Sequence, residues 1–79
     1  GNMNKQRRKA IQQALDQLSD IRTSVEEINT DEQDSFDNLP ESFQDSEKGE
    51  TIQEAIDFLE TATGNIDEVI DSLEQAQGM

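Results

Sequence analysis

Two long segments of the chain carry apolar residues that recur every three or four positions. In the first segment they are Ile11, Ala14/Leu15, Leu18, Ile21, Val25 and Ile28, with Gln, Asp, Ser, Arg and Glu between them. Such spacing lines up one face of an α-helix and holds an a/d heptad pattern for about three heptads. The pattern predicts a first helix over about 4–36.

The second segment repeats the pattern close to the other end of the chain. Its stripe is Ile52, Ala55/Ile56, Leu59, Ala62, Ile66, Val69/Ile70, Leu73 and Ala76. Thr51 and Glu54 form a capping-box pattern at its start, Ser46 is a competing start one turn earlier, and Gly78 is placed to end it. A second helix over about 46–77 is predicted.

Gly64, followed by Asn65, is the weak point of this second helix, because Gly costs roughly 1 kcal/mol relative to Ala in a helix. One explanation is the close approach of a neighbouring backbone to a continuous helix. The other is a break, with Asn65 capping a third short helix. The apolar stripe keeps its phase across Gly64, which favours the continuous helix.

The segment 30–50, called here the acidic connection, differs in kind from both helices. It holds eight acidic residues, Pro40, Gly49 and two of the three Phe residues. Pro40 belongs at a turn or in the first turn of a short helix, because it cannot donate a backbone hydrogen bond. A connection of this length is not a tight turn, so we expect it to be structured or functional.

These elements predict an all-α fold, a single domain over 1–79 built as an antiparallel two-helix hairpin. With 79 residues and 30% hydrophobic residues, one copy buries little apolar surface. We therefore expect two hairpins to pair into a four-helix bundle, as a homodimer or a higher oligomer.

The composition narrows the classes of function. The chain has no Cys and no His, which excludes disulfides, Cys or His nucleophiles and structural zinc. No apolar run approaches the roughly 20 residues that span a bilayer. After Lys9, 19 acids face only Arg22 and Lys48, a net charge of −17. Such a body repels nucleic acid and anionic membranes and attracts basic protein surfaces.

The centre of the acidic connection is the main candidate binding surface. It displays aromatic rings, a rigid Pro and carboxylates close together, a common composition of binding surfaces. The candidate residues are Asp34, Phe36, Asp37, Asn38, Leu39, Pro40, Glu41 and Phe43. The alternative interpretation is structural: Phe36, Leu39 and Phe43 fold back and close the end of the bundle.

Two further interpretations use charge. The carboxylates could mimic the phosphates of DNA and occupy a DNA-binding protein, or they could simply be a solvated surface. The candidate anion-binding residues are Arg7, Arg8, Arg22 and Lys48, which would hold the phosphates of a nucleotide ligand inside an oligomeric sponge. Alternatively, the basic start of the chain pairs with Asp71 and Glu74 of the second helix.

Two pairs of carboxylates resemble a known catalytic pattern. Glu47-x-x-Glu50 and Glu68-x-x-Asp71 are similar to the paired helical carboxylates with which all-α nucleotide pyrophosphohydrolases bind magnesium. The basic residues that this family uses on substrate phosphates have no clear counterpart nearby. We therefore predict no catalytic residue, no metal site and no cofactor, with this activity and a structural bundle as the remaining alternatives.

The chain also resembles a class of short acidic phage and prophage proteins. The resemblance rests chiefly on the run from Asp31 to Glu50 with its Phe36-Asp37-Asn38-Leu39-Pro40-Glu41 centre, supported by the start, 3–9, and the close, 66–74. This class has no characterised function, so the resemblance implies a phage context, and with it the cytoplasm of an infected bacterium, but no activity. A phage context favours inhibition of a host or anti-phage defence protein, or sequestration of a signalling nucleotide. Our leading interpretation is a non-enzymatic binder of a basic host protein.

Overall fold

The computed structural model describes residues 4–79 and contains three helices in that range. They are α1 (Lys5–Asp37), α2 (Glu41–Gln44) and α3 (Glu47–Gln77). The described range contains no strand, so the predicted all-α class is confirmed. The first three residues of the predicted 1–79 domain lie outside the described residues.

The two long helices pack against each other along a rod. The Gln77 side chain, in the last turn of α3, donates to Gln12 Oε1 at 2.9 Å and to the carbonyl of Arg8 at 3.3 Å, both near the start of α1. The rod measures 60 × 17 × 11 Å, and its radius of gyration is 17.9 Å. A compact domain of this length would have a radius of gyration of about 12 Å, so the chain exposes an unusual share of its surface.

Side-chain and backbone caps fix the ends of the helices. Asn4 Oδ1 accepts from the backbone N–H of Arg7 at 2.8 Å at the start of α1. Ser46 caps α3 by accepting from the N–H of Gly49 at 3.5 Å, and Gly78 is the C-cap of α3. The capping box predicted at Thr51 is wrong, because Thr51 lies a turn inside α3 and its hydroxyl donates to the Glu47 carbonyl.

The interior between α1 and α3 is small. Among large apolar side chains of residues 4–79, only Leu15 and Ile56 are buried, while Ile21, Ile28, Phe58 and Val69 are about half exposed or more. The accessible surface of 5910 Å² exceeds the roughly 4,800 Å² expected of a compact monomer of this mass. Several large apolar residues therefore remain exposed to solvent after the two long helices pack together.

The two internal glycines of α3 have opposite surroundings. The helix runs through Gly64 without interruption, and a Cβ atom added there would meet no atom within 4 Å. The proposed close approach of a backbone to Gly64 is therefore wrong. It occurs instead at Gly49, where an added Cβ would lie 2.0 Å from the carbonyl oxygen of Gln44.

Candidate functional site

The part of the acidic connection that lies between α1 and α3 is a capped turn around the short helix α2. Beyond the last residue of α1, the N–H of Asn38 donates to the Asp34 carbonyl at 2.9 Å, and that of Leu39 donates to the Phe36 carbonyl at 3.1 Å. Pro40 stands at the N-cap of α2, where its missing N–H leaves no partner unsatisfied. Its carbonyl accepts from Phe43 N at 2.8 Å, which closes the single turn of α2.

Side chains then attach α2 to both long helices. Gln44 Nε2 lies 3.4 Å from the carbonyl oxygens of Phe36 and Leu39, at the end of α1. The hydroxyl of Ser46 donates to the Phe43 carbonyl while it caps α3. Gly49 permits this arrangement, because only a residue without a Cβ lets the backbone of α2 approach α3 so closely.

The candidate binding residues divide between the interior and the surface of this turn. Phe36 and Leu39 are half-buried, as the plug interpretation expects, whereas Phe43 is 53% exposed. The other five candidates are all exposed: Asp34, Asp37, Asn38, Pro40 and Glu41. The turn therefore combines a small apolar interior with an outward-facing surface of carboxylates, one Pro and one Phe ring.

The same end of the rod is strongly acidic. Exposed carboxylates surround α2, and Lys48 is the cation that stands among them; the acids are Asp34, Asp37, Glu41, Asp45, Glu47 and Glu50. The ion pairs found within residues 4–79 involve none of these groups. Their charge is thus available to a basic surface.

The ion pairs of the described range centre on Arg22, midway along the rod. Its guanidinium binds Asp67 of α3 through two bonds, Nε to Oδ1 at 2.5 Å and Nη2 to Oδ2 at 3.1 Å, and also contacts Glu26. The hydrogen bond from Arg22 lowers the pKa of the Asp67 carboxyl. Hydrogen bonding to Asp67 likewise raises the pKa of Arg22. This bidentate contact joins the two long helices.

The predicted pairing of the basic start with Asp71 and Glu74 is not found. Within residues 4–79, Arg7 and Arg8 form no ion pair, and the contact between the two helices at this end is the neutral one made by Gln77. The cation that crosses to α3 is Arg22, whose side chain extends from the packed face of α1.

The four candidate anion-binding residues are not brought together within one chain. Arg7 and Arg8 lie some 14 residues before Arg22 on α1, which is about 21 Å of helix. Lys48 stands at the opposite end of the rod, 19 residues before Asp67 on α3, a further distance of about 29 Å. A single copy therefore offers no cluster of cations to a nucleotide.

The carboxylate pairs considered for magnesium are also separated. Glu47 and Glu68 belong to the same continuous helix and stand 21 residues apart, so about 32 Å of helix separates the two pairs. Within residues 4–79, no group of three potential metal ligands is found. The two pairs cannot hold one ion within a single chain.

The structure also shows a second apolar stripe, which the sequence analysis did not separate from the first. We call the apolar residues between the two long helices, including the buried Leu15 and Ile56, the packed stripe. The second stripe runs beside it on both helices: Ala14 is next to Leu15 on α1, and Val69 is next to Ile70 on α3. We call the whole set the apolar face; it consists of Ala14, Ile21, Ile28, Phe58, Val69 and Ala76. The adjacent apolar pairs Ala14/Leu15, Phe58/Leu59 and Val69/Ile70 were the available signal in the sequence, because adjacent positions of a helix diverge by about 100° and so widen its apolar band.

Comparison with protein-family models, curated proteins and solved structures finds no match for this chain. A search of residues 4–79 finds no helix both long and apolar enough to cross a membrane.

Proposed function

We propose that this chain is a non-enzymatic, phage-encoded acidic protein that inhibits a host or anti-phage defence component by occupying its basic surface. The supporting observation is the exposed carboxylate cluster around α2, at the end of a rod whose described ion pairs engage only Glu26 and Asp67 among the 19 acids. An uncompensated surface of this kind speeds the approach of a cationic partner and disfavours acidic ones.

Contact is centred on the acidic connection in this proposal. Phe43 is 53% exposed there, and the adjoining Pro40 and Glu41 are exposed too. An aromatic ring among charged groups supplies the apolar centre on which interface affinity commonly depends, and the surrounding charges supply orientation. Because α2 is attached to both long helices, this surface would lose little conformational entropy on binding.

The charge density of the rod favours partners that normally bind DNA. The 19 carboxylates of one chain lie along a rod of 60 Å, about one for every 3 Å, whereas duplex DNA carries one charge for every ~1.7 Å of its axis. Two copies side by side would roughly halve the spacing and match duplex DNA. The spacing of carboxylates would therefore match the spacing of charges along duplex DNA in a dimer but not in a single chain.

The proposal includes the architecture that this form needs. The chain would act as an antiparallel hairpin, supported by the contacts of Gln77 with the start of α1, and two hairpins would pair into a four-helix bundle. The large accessible surface and the half-exposed side chains of the apolar face support the pairing.

Affinity capture from the natural host, with mass spectrometry of the bound proteins, tests the function. We expect a basic, DNA-binding protein whose capture is reduced at least tenfold by the triple change Asp34→Asn, Asp37→Asn and Glu41→Gln. Duplex DNA should compete for the captured protein, because both would occupy its basic surface.

A matched control removes three charges from elsewhere on the rod: Asp57→Asn, Glu60→Gln and Asp71→Asn. These residues are exposed on α3, so both triple variants have the same net charge. Equal loss of capture in both variants would mean that only total charge matters. Undiminished capture by the first variant would refute a role of the acidic connection.

A further inference from the structure

The apolar face is a set of side chains that remain partly or largely exposed after α1 and α3 pack together. Its larger members are well exposed: Ile21 50%, Ile28 51% and Phe58 74%. The accessible surface of 5910 Å² is about 1,100 Å² more than a compact monomer of this mass needs. Each partner of a standard stable interface buries about 800 Å², so the surplus is of the size that one such interface covers.

The stripes on both long helices belong to the same side of the rod. On each helix the second stripe precedes the packed stripe by one residue, or about 100° of rotation. The contacts of Gln77 with Gln12 and of Asp67 with Arg22 show that α3 returns along α1. For two helices that run in opposite directions, equal rotations away from their contact lead to the same side, so the stripes form one continuous face.

Residue size varies along this face in a complementary way. The same contacts place Ala76 level with Ala14 at the open end of the rod, Val69 level with Ile21 in the middle, and Phe58 beyond Ile28 towards α2. Small side chains thus occupy one end of the face and large ones the other. A groove lined by Asn65, Glu68, Val69, Ser72 and Leu73 lies between.

We propose that the apolar face binds a second copy of this chain about a two-fold axis that passes near Ile21 and Val69. The two rods then run in opposite directions, and this antiparallel arrangement is called head to tail here. This arrangement places Phe58 of each copy over Ala76 of the other, and Ile28 over Ala14. Large residues then meet small ones on both sides of the axis, which favours close packing, while at the axis itself Ile21 and Val69 of the two copies lie against each other.

Charge favours the same arrangement. The basic start of α1, with Lys5, Arg7, Arg8 and Lys9, has four of the six cations, and the acidic connection lies at the opposite end of the rod. Head-to-tail docking brings the basic start of one copy beside the acidic connection of the other. Docking with both connections at one end would place like charges together and stack Phe58 and Ile28 of both copies, so it is disfavoured on both grounds.

This inference rests on the pairing included in the proposed function and adds a consequence to it. The head-to-tail dimer carries an acidic connection at each end, and the eight acids of each connection outnumber the four cations of the basic start beside it. The dimer therefore still presents two separate acidic surfaces to basic partners. Each connection would lie about 60 Å from the other, the length of the rod. One dimer could therefore engage two partner molecules.

Distance measurement between spin labels tests the arrangement directly. The chain has no Cys, so a label on Ser42→Cys in α2 is unique. We expect a distance of about 60 Å between the two labels of a dimer, as set by the rod. Docking with both connections at one end predicts less than about 30 Å, since packed helices are 8–10 Å apart. That short distance, or a single-chain mass at micromolar concentration by sedimentation equilibrium, would overturn the proposal.

Exchanging the large and the small residue of one predicted contact provides a second, independent test. Ala76→Phe alone should raise the dimer dissociation constant at least tenfold, and adding Phe58→Ala should restore it, because each Phe again faces an Ala. Val69→Glu should raise it about 100-fold, while the outward-facing control Thr61→Glu should not. Failure of the double variant to recover dimerisation would contradict the head-to-tail contact.

The outcomes separate this inference from the proposed function. A monomer that still captures a basic protein refutes the dimer and retains the function. If Val69→Glu leaves the mass of the free protein unchanged but abolishes capture, the apolar face binds that partner and not a second copy. A head-to-tail dimer that captures nothing supports the dimer and counts against the function.

Discussion

Replacing Gly49 by Ala tests the account of how the acidic connection is held in place. The added Cβ would lie 2.0 Å from the carbonyl oxygen of Gln44, 2.6 Å from its carbonyl carbon and 2.8 Å from the carbonyl oxygen of Phe43. All three are backbone atoms of α2, so no flexible side chain can rotate away. The substitution therefore has to displace α2 from α3.

Two opposing terms set the magnitude. Inserting a methyl group into a packed site costs about 1–3 kcal/mol, and we take the upper end because the clash is with backbone. The exchange of Gly for Ala inside a helix contributes about 1 kcal/mol in the favourable direction. The net loss is about 2 kcal/mol, which lowers the Tm of a domain of this size by about 8–16 °C.

Gly64→Ala is the matched control, because it makes the same chemical change in the same helix with no neighbour within 4 Å. It should gain the full helix propensity of about 1 kcal/mol and raise Tm by about 4–8 °C. The two variants thus differ in sign. Thermal unfolding followed by circular dichroism at 222 nm measures both, at one fixed protein concentration because self-association would shift Tm.

Local structure provides the second measurement for Gly49→Ala. Amide chemical shifts should change mainly in the acidic connection and in the first turns of α3, while the contact between Arg22 and Asp67 stays intact. A Tm for Gly49→Ala equal to or above that of the unchanged protein would refute the close approach of α2 to α3. So would shift changes spread evenly along both long helices.

Three further predictions follow from the caps, the buried polar group and the ion pair. Ser46→Ala should lower stability by about 1 kcal/mol, whereas Thr51→Ala should cost no more than about 0.5 kcal/mol, because only Ser46 caps α3; equal losses in urea unfolding would contradict this assignment. The Oδ1 atom of Asn29 is buried without a hydrogen-bond partner within residues 4–79, so Asn29→Leu should raise stability by about 1–2 kcal/mol; a loss in urea unfolding would indicate that Asn29 has a partner. Arg22 lowers the pKa of Asp67 below its ordinary 3.8, so the pair stabilises the fold above that pH and ceases to do so as the pH falls through the lowered value. Asp67→Asn should therefore destabilise at neutral pH but not well below pH 3.8, and a difference in Tm that is independent of pH would refute this.

The helices themselves were accessible from local patterning. Apolar residues every three or four positions, uninterrupted by Pro, predicted two long helices. Gly78 predicted the end of the second helix, and the structure has it there as the C-cap. Local spacing suffices for this because it is set by the rotation of 100° per residue within a single helix. The length of the acidic connection indicated that it is structured or functional, and Pro40 indicated a turn or the start of a short helix, which is where the structure places it.

Features for which the sequence offered two equally good local signals could not be predicted from the sequence alone. Ser46 and Thr51 both precede an apolar run, and only the packing of α2 on α3 selects Ser46, whose hydroxyl also contacts the Phe43 carbonyl. No local sequence pattern distinguishes the role of Gly49 from that of Gly64. Their roles depend on whether the backbone of another element lies nearby, and that element is near Gly49 alone.

By itself, therefore, the sequence determined the helices, their approximate limits and the separation of a basic start from an acidic body, because each depends on neighbours in the chain. Tertiary structure decided which cation crosses between the long helices, which half of each apolar doublet is the more exposed, and which members of the connection turn inward. Those features depend on distances between residues remote in sequence: Asp67 reaches Arg22 across 45 positions. No local pattern encodes that contact, so the apolar face became visible only once α1 and α3 were packed together.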